Sequence, residues 1–572
     1  MTNETTGPTD RRTAEPAGPE PRDEPAAERS GGGSDVMRSS AVMALGTLAS
    51  RLTGFARTVV FAVVLGTQLL NDAYTAANTI PFIIYDLLFG GLLASVIVPF
   101  LVKRRKLDAD GGQATEQRLF TVTVVALFVL TAVAIAAAEW LIRMYAGSFT
   151  TNQHEVAVLL ARFLLAQIFF VGLGGIAGAM LNVRERFGAP MWAPVLNNII
   201  TIATGLAFLL VAGIGATPDT VSDADVVLLG VGSTLGMVAQ GLVLLPPLWK
   251  AGFRWRPRLD LRGSGLGEAV KTAGWMMVYL VSLQLNFLIT SNVATRAGVE
   301  SVTSGEAVGA GLTTYNYAYQ LFQLPYAIIA VSVITALLPR MSGHASEGRN
   351  DLVRDDFSNG VRMSSVLLVP GAVALAIFAV PMCQLLFAYG STSDADARNI
   401  GLVLTVFAIG LVPFSLFQLL LRVFYALGDT RTPALISFVN VVVHGAVAVA
   451  SLLVLPSQQV VMGVAAGSML SFVAGTVVAW IVLARRLGGL DGRTVLGSLL
   501  RMHLAAIPSA VFAVAMVLAF GVLPGVVLPS LLSLLVGGGI GMFLFVLFAK
   551  WLGVREVSSF LAMVRGRLLR RG

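Results

Sequence analysis

Long apolar segments recur along the whole chain and alternate with short polar loops. Each segment runs for roughly 20 residues or more, the length that an α-helix needs to cross a bilayer, whereas barrel strands are about ten residues long and alternate strictly. The pattern therefore predicts an all-α polytopic membrane protein with 14 transmembrane helices. The predicted spans cover approximately residues 40–66, 73–101, 118–142, 156–181, 190–213, 226–248, 270–294, 308–338, 360–387, 399–426, 433–455, 460–483, 497–522 and 528–552.

The loop charges support this count, because basic residues are abundant in every second loop. Loops after odd-numbered spans hold little beyond Arg143, Arg296 and Arg398. Cytoplasmic loops carry the excess of positive charge in membrane proteins, so both termini are predicted to be cytoplasmic. The basic residues in loops after even-numbered spans are Lys103, Arg104, Arg105, Lys106, Arg184, Arg186, Lys250, Arg254, Arg256, Arg258, Arg262, Arg340, Arg349, Arg354, Arg431, Arg485, Arg486 and Arg493.

Two loops in the two halves of the chain resemble each other. Residues 182–190 end in a proline seven residues before Asn197, and residues 425–433 end in a proline seven residues before Asn440. This match pairs spans 1–6 with spans 7–12, and an offset of six helices preserves orientation, so the halves are predicted to be parallel pseudo-repeats. The predicted organisation is a disordered cytoplasmic tail (1–37), an N-lobe (38–250), a cytoplasmic linker (251–269), a C-lobe (270–485), two extra C-terminal spans (486–555) and a basic cytoplasmic C-terminus (556–572).

Two six-helix lobes that face each other would enclose a central cleft, the usual place of a transported substrate. Proline weakens a helix at the preceding turn. Pro81 and Pro325 occupy equivalent positions of the repeat. They are therefore predicted to mark bends that open and close the cleft.

The composition excludes an ordinary soluble protein. Of the 572 residues, 56% are hydrophobic and 13% are charged, and the mean hydropathy is +0.78. The formal net charge of +8 is concentrated in loops, which favours a role in topology over nucleic-acid binding. Cys383 is the one cysteine, so an intramolecular disulfide is impossible, and no Cys/His cluster has metal-ligand spacing. Neither a metal nor a cofactor is predicted.

Arg51 and Arg57 lie inside the first apolar segment. An arginine at bilayer depth costs about 3 kcal/mol on insertion scales and usually marks a polar cavity or a partner. The planar guanidinium suits phosphate oxygens, which predicts an anion site. Ser50 and Gly54 form a small-residue pair that permits close helix approach, and a bend at Gly54 would bring both arginines to the cleft. Two alternatives stay open, which are snorkelling of Arg57 to the outer interface and an ion pair of Arg51 with Asp86.

Other polar residues within the spans are candidates for the same site. Asp72 lies at the predicted outer mouth and Asn78 lies further along span 2, whereas Gln320 and Gln323 lie in span 8, which the repeat places opposite. These side chains, with Asp86, are predicted to contribute to substrate binding.

A second candidate site combines Thr290 of span 7 with Asn440 and His444 of span 11. Asn440 and His444 are four residues apart and therefore share one helix face. They could hold a proton or a cation, and a hydrogen-bonded core histidine is the alternative reading.

Several motifs resemble the MurJ (MviN) family, from about residue 38 to about residue 550. The family consists of lipid II flippases of the multidrug/oligosaccharidyl-lipid/polysaccharide (MOP) exporter superfamily. The Pro- and Arg-rich tail is similar to those of actinobacterial members. The matching segments are Ser50-Arg51-x-x-Gly54-Phe55-x-Arg57, Asp72-Ala73-Tyr74, Asn78-Thr79-Ile80-Pro81, Phe187-Gly188-Ala189-Pro190, Ala193-Pro194-Val195-Leu196-Asn197-Asn198, Gln323-Leu324-Pro325-Tyr326 and Arg422-Val423-Phe424-Tyr425-Ala426-Leu427-Gly428-Asp429-Thr430.

The resemblance implies a MATE-like fold in the bacterial plasma membrane. It also implies translocation of lipid II, the undecaprenyl-pyrophosphate-linked peptidoglycan precursor, to the outer leaflet, with membrane lipids and proteins of cell-wall synthesis and division as partners. By this resemblance Arg51 and Arg57 bind the pyrophosphate and headgroup, with Asp72 nearby.

The chain also departs from the family pattern. Members with a third cavity arginine place it in span 8, where this chain has Gln320, and a basic position of span 2 is Tyr85 or Asp86 here. Some members have acidic cation ligands where this chain has Thr290 and His444. The cleft is therefore predicted to be less positive than in those members.

Three other functions are compatible with parts of this pattern. The chain could export another lipid-linked oligosaccharide or a drug, or act as a transport-inactive scaffold for cell-wall synthases. A polyprenyl-phosphate transferase would need long outer loops with acidic or histidine residues, which the sequence lacks.

Overall fold

The computed structural model describes residues 31–87, 98–107, 110–258, 274–305, 308–559 and 561–562. Residues 1–30 of the predicted tail, the middle of span 2, most of the predicted linker and the basic terminus after residue 562 lie outside these ranges. Within the described ranges, every regular element is helical.

The N-terminal half is a bundle of helices that follow the predicted spans closely. Helix α1 begins at Gly31, well before the apolar segment. Hydropathy identifies only the part of a helix that lies in the bilayer, and the helix itself can be longer. The helices are α1 (Gly31–Leu65), α2 (Leu69–Tyr85), α3 (Val98–Leu107), α4 (Gln113–Ala136), α5 (Ala138–Tyr145), α6 (Thr151–Leu164), α7 (Gln167–Val183), α8 (Gly188–Ala212), α9 (Asp223–Leu242) and α10 (Leu245–Lys250).

The C-terminal half contains generally longer helices. A π-helical turn, Ser533–Gly537, interrupts its last span. The helices are α11 (Gly274–Thr303), α12 (Leu312–Ser346), α13 (Asn350–Phe387), α14 (Asp394–Ile409), α15 (Leu411–Ala426), α16 (Arg431–Val454), α17 (Ser457–Leu487), α18 (Gly492–Phe520), α19 (Val527–Leu532) and α20 (Gly538–Trp551).

The predicted polytopic helical fold is confirmed. In the described part of the chain, 12 helical segments are long and apolar enough to cross a membrane, and the bent pair of α14 and α15 raises the number to 13. The remaining predicted span begins with α2 and continues into residues 88–97, outside the described ranges. The count of 14 therefore stays a prediction.

Helix breaks occur at positions other than the two expected prolines. Helix α2 continues through Pro81 and α12 continues through Pro325. A bend of 50° separates α14 from α15 at Gly410. A β-carbon at Gly410 would overlap the Met469 side chain, so the absence of a side chain allows α17 to pack against this break.

The predicted repeat is visible in two matching helix ends. After α7, the Glu185 and Arg186 amides donate to the carbonyls of Asn182 and Leu181 at 3.0 and 2.9 Å. The same pair of bonds ends α15, where the Gly428 and Asp429 amides donate to the carbonyls of Tyr425 and Phe424, again at 3.0 and 2.9 Å. Both loops close their helix with a left-handed residue, at Glu185 and Gly428.

The two lobes contact each other at one end of the bundle. The Ser391 amide, which follows α13, donates to the Val63 carbonyl of α1 at 2.8 Å. The hydroxyls of Ser148 and Thr295, from different lobes, lie 3.3 Å apart. We call this the closed end, defined by Val63, Ser148, Thr295 and Ser391. Ala62 of the N-lobe belongs to the buried core of the C-lobe here.

The opposite end carries the arginine-rich loops, and we call it the basic end. Among the described residues, its ion pairs join residues of the same half of the chain, as between Arg184 and Glu116 or between Arg486 and Asp429. Within the same ranges, contacts between the lobes concentrate at the closed end and continue to the bond between Thr58 and Gln320, so this part of the chain leaves the cleft open toward the basic end.

The last helices form an appendage on the C-lobe. Residues Met502 of α18 and Phe545 of α20 pack against Val366 and Val369 of α13 in a separate buried cluster. The appendage therefore lies outside the two facing lobes, as the repeat predicted.

Candidate binding cavity between the lobes

A cavity of about 260 Å³ lies between the lobes, enclosed by α1, α2 and α12. Hydroxyl, amide and aromatic side chains make most of its wall. The lining residues are Arg57, Thr58, Phe61, Asn71, Tyr74, Thr75, Asn78, Thr79, Asn316, Tyr317 and Gln320.

Arg57 provides the positive charge of this wall. It is half-buried, and it forms no hydrogen bond or ion pair with any residue in the described part of the chain. Its neighbours on the wall include Tyr74 and Tyr317, whose hydroxyls are neutral. The guanidinium therefore keeps its donors available for an anion in the cavity.

Arg51 lies on the same helix, closer to the basic end. It precedes Thr58 by seven residues, so the two share nearly the same face of α1 about 10 Å apart along the helix axis. Thr58 lines the cavity, and Arg51 is exposed. Helix α1 is continuous across Gly54, so the predicted break there is absent, and of the two arginines Arg57 lines the cavity whereas Arg51 does not. They follow each other along the path from the basic end.

The predicted partner of the arginines is not paired with them. Asp86 is exposed at the end of α2, and no ion pair joins it to Arg51 or Arg57 within the described ranges. Arg57 lines the cavity, and its snorkelling to the outer interface stays an alternative prediction.

Gln320 connects the two lobes at the cavity. Its side-chain carbonyl accepts a hydrogen bond from the Thr58 hydroxyl at 2.9 Å. Asn78 also lines the cavity, and its carbonyl lies 3.4 Å from the Gln167 amide that donates to it. Gln323 lies three residues further along α12 and is absent from the lining.

Ser50 and Gly54 lie where α1 packs against α8. The Asn198 amide donates to the Ser50 carbonyl at 3.2 Å and to the Thr53 hydroxyl at 3.0 Å. A β-carbon at Gly54 would lie 3.4 Å from that same amide nitrogen. The structure thus supports close helix approach at this pair, whereas their contact with substrate stays a prediction.

Asp72 lies at the closed end and outside the cavity. It is 1% exposed, and its carboxylate accepts a hydrogen bond from the Thr313 amide at 2.7 Å. Thr313 belongs to the first turn of α12, so a carboxylate of one lobe caps a helix of the other. Gly298 and Gly311 leave room for it, since a β-carbon at either would crowd or overlap the carboxylate.

The second candidate site is a buried polar cluster inside the C-lobe. The His444 ring lies 2.9 Å from the Thr290 hydroxyl and 3.3 Å from the Ser468 hydroxyl. Ser468 also contacts the Tyr315 hydroxyl at 2.9 Å. One turn away, the buried side-chain oxygen of Asn440 has no hydrogen-bond partner. The cluster brings the three predicted residues near one another, and an ion-coupling role stays a prediction.

Much of the cavity wall was not predicted from sequence, and the predicted residues that line it are Arg57, Asn78 and Gln320. Residues Asn71, Thr75, Asn78 and Thr79 form a polar stripe on one face of α2, with a spacing of three to four residues. That periodicity in the sequence could have identified this face of α2 as part of the cavity wall. The Asn71 amide contact with the Tyr317 hydroxyl, at 3.0 Å, crosses between the lobes and leaves no trace in local sequence.

Comparisons with known proteins agree with this architecture. The sequence model of the family described as "Lipid II flippase MurJ" matches residues 61–537. The lipid II flippase MurJ of Burkholderia cenocepacia is 30% identical over 398 residues, which are 68% of this chain and 73% of that protein. A probable lipid II flippase MurJ of Rhizobium meliloti is 28% identical over 72% of this chain and 74% of that protein.

Solved structures show the same fold. A lipid II flippase MurJ in an inward closed conformation matches 90% of this chain and 99% of its own, with a TM-score of 0.69 and 16% identity. An inward-facing MATE family transporter of the MOP superfamily matches 77% of this chain and 95% of its own, with a TM-score of 0.61 and 16% identity. With the extent of the family match, this chain belongs to the MurJ family of lipid II flippases.

Proposed function

We propose that this chain moves lipid II from the cytoplasmic to the outer leaflet of the bacterial plasma membrane by alternating access. Arg57 carries the proposal. Its guanidinium has no partner among the described residues and lines a cavity between the two lobes, and Arg51 follows it on the path to the basic end.

The pyrophosphate is the part of lipid II that these arginines suit. A guanidinium donates two parallel hydrogen bonds to phosphate oxygens, and such bonds strengthen where water is scarce. The cavity of about 260 Å³ is smaller than the roughly 300–1,000 Å³ typical of small-ligand pockets. It therefore suits the pyrophosphate, while the sugars and peptide extend into the cleft toward the basic end and the polyprenyl chain stays in lipid.

The orientation follows from the loop charges. With the basic end in the cytoplasm, both termini are cytoplasmic and the cleft opens to the leaflet where lipid II is made. Release then requires that the closed end separate, which breaks the cap of Asp72 on α12. No covalent bond changes in this cycle, so the proposal assigns no catalytic residue and no cofactor.

The nearest alternative is export of another lipid-linked oligosaccharide or a drug. Gln320 supports this alternative, because the wall of the cavity opposite Arg57 offers a neutral amide instead of a second cation. The experiment below therefore also tests the alternative. A scaffold for cell-wall synthases, which would need partner proteins of that pathway, is the alternative from another class.

Depletion of a sole lipid II flippase, complemented by this chain, tests the proposal. We expect wild type to restore growth, and Arg57→Ala and Arg51→Ala to fail at equal membrane abundance. Arg143→Ala is the matched control, because Arg143 is exposed in an ion pair with Glu139 and lies outside the cavity.

The outcomes separate the alternatives. Rescue by both cavity variants would contradict the role of the arginines. Failure of wild type, with the protein present in the membrane, would favour another lipid or a scaffold.

A further inference from the structure

Two adjoining cavities lie at the basic end of the N-lobe, away from the cavity between the lobes. One is a groove of about 740 Å³ and the other a basic pocket of about 590 Å³. They share Glu185, Arg186 and Lys250, so the groove continues directly into the pocket.

The groove is apolar at the end away from these charges. Its walls include Val42 of α1, Phe187 before α8, and Val243 and Pro246 around the start of α10. Trp249, which belongs to the same short helix α10, is 47% exposed. Exposed tryptophans mark the bilayer interface, so the groove lies at the depth where acyl chains meet headgroups.

The side chains of the two shared cations have no partner among the described residues. Arg186 and Lys250 are exposed, and neither side chain forms an ion pair or a hydrogen bond within the described ranges. Arg184 differs, since it is paired with Glu116 and lies over the Phe253 ring. Glu185 contributes one negative charge to the wall, which leaves the shared rim with a net charge of +1 from Arg186, Lys250 and Glu185.

The equivalent position in the C-lobe contains a carboxylate. Arg186 occupies the place that Asp429 occupies in the C-lobe, after the same helix end. There the carboxylate of Asp429 is bound by Arg486 from the end of the sixth span of that lobe. In the N-lobe the sixth span supplies Lys250, and the loop supplies a second cation in place of the carboxylate. The N-lobe site therefore lacks the anion that closes its counterpart.

We propose that an anionic phospholipid supplies this anion. Its phosphate binds between Arg186 and Lys250, and one acyl chain occupies the apolar groove beside Val42 and Val243. The lipid belongs to the leaflet on the side of the basic loops, and it connects α1 to the α7–α8 loop and α10.

Native mass spectrometry of the full chain tests this site, with phosphatidylglycerol as the probe and zwitterionic phosphatidylcholine as the reference lipid. We expect one phosphatidylglycerol to bind in preference to phosphatidylcholine. In the double variant Arg186→Gln and Lys250→Gln, we expect its affinity to fall about thirtyfold, since each of the two basic residues near a membrane surface contributes about 1 kcal/mol.

A charge-matched control separates a site from general attraction. Arg485→Gln with Arg493→Gln removes two exposed arginines of the same end that also have no described partner. We expect this variant to keep the wild-type affinity. An equal fall in both double variants, or equal binding of phosphatidylcholine to wild type, would overturn the proposal.

The groove has a test of its own. Val243→Trp fills the groove at a residue that is 40% exposed, and it leaves both cations in place. We expect weaker binding of phosphatidylglycerol and an unchanged thermal midpoint. Unchanged binding in this variant would exclude an acyl chain from the groove. Displacement of phosphatidylglycerol by an equimolar polyprenyl pyrophosphate would assign the groove to the transported lipid. Either result would overturn the proposal.

Discussion

Asp72 joins the two lobes at the closed end through its carboxylate. Its buried carboxylate accepts from the Thr313 amide at the positive end of α12. Such a cap is worth about 1 kcal/mol. When the lobes separate, water can replace the protein donor, so the bond favours the closed end without making it permanent.

Gly311→Ala tests this contact, because a methyl group there would overlap the Asp72 carboxylate. We expect the closed end to open and transport to be lost. Labelling of a Thr313→Cys probe by a membrane-impermeant maleimide, in a Cys383→Ala background, measures the opening, since Thr313 is fully buried. Gly343→Ala in the same helix is the control, because its surroundings are empty. Continued protection of the probe in the Gly311 variant would contradict the prediction.

Asp429 predicts a dependence of stability on pH at the basic end. Burial raises the pKa of its carboxyl, but hydrogen bonds from Thr432 and Arg486 outweigh burial and hold the pKa below its usual value. A carboxyl with a lowered pKa stabilises the folded state above its unfolded pKa of about 3.9, and the effect is lost as the pH falls through the folded pKa.

We therefore expect Asp429→Asn to lower the thermal midpoint by about 2 °C at pH 7, and the difference from wild type to shrink as the pH is lowered below the unfolded pKa of about 3.9. Thermal unfolding in detergent at pH 7 and at a series of acidic pH values measures it. Asp355→Asn is the control, since its ion pair with Arg354 is exposed and should contribute little. A difference that persists in acid would show that the carboxylate charge is not the cause.

At the scale of elements, Gly410 determines where the tenth predicted span bends. The Met469 side chain of α17 fills the space where a β-carbon would lie. We expect Gly410→Ala to destabilise the protein by about 1–3 kcal/mol through overpacking. Met469→Ala in the same chain should restore most of the thermal midpoint, and Gly371→Ala, which has open space, should change it little. Equal midpoints for wild type and Gly410→Ala would show that the helices shift without cost.

The membrane spans and the repeat were predictable because both are visible in short stretches of sequence. Apolar length reports bilayer depth directly, and the two loops before Pro190 and Pro433 share their residue types and their bonds. The breaks at Ala137 and Gly410 were not predictable, since the residues around them are as apolar as a continuous span. At Gly410 the neighbouring contact is the Met469 side chain of another helix, which lies far away in sequence.

The site was predictable only in part for the same reason. A charge inside an apolar run identifies Arg57 without a structure, because its insertion cost demands an explanation. The bond between Thr58 and Gln320 joins residues 262 positions apart, and that between Asp72 and Thr313 joins residues 241 positions apart. No local pattern encodes which face of one lobe meets the other.

The whole molecule consists of two similar lobes that contact each other mainly at one end. Each lobe has a buried cluster made mostly of its own residues. The contact between them is largely a set of single hydrogen bonds to backbone and hydroxyl groups, such as those of Ser391, each worth about 1 kcal/mol. If the lobes separate at the closed end and meet at the basic end, the hydrogen bonds lost and gained are similar in number and strength. The difference in free energy between the two states is then small, as alternating access requires.

A reversible cross-link tests whether the closed end must open. The Ser148 and Thr295 hydroxyls lie 3.3 Å apart across the lobes, so cysteines at both positions would bring two thiols next to each other. In a Cys383→Ala background, we expect oxidation to abolish movement of a fluorescent lipid II headgroup to the quencher-accessible leaflet of proteoliposomes, and reductant to restore it. Cysteines at Thr217 and Thr220, whose hydroxyls are 3.2 Å apart within one loop, should cross-link without effect. If the oxidised Ser148–Thr295 variant transported normally, release would proceed without separation of these lobes, and the arginines would deliver the headgroup by a path other than the cleft.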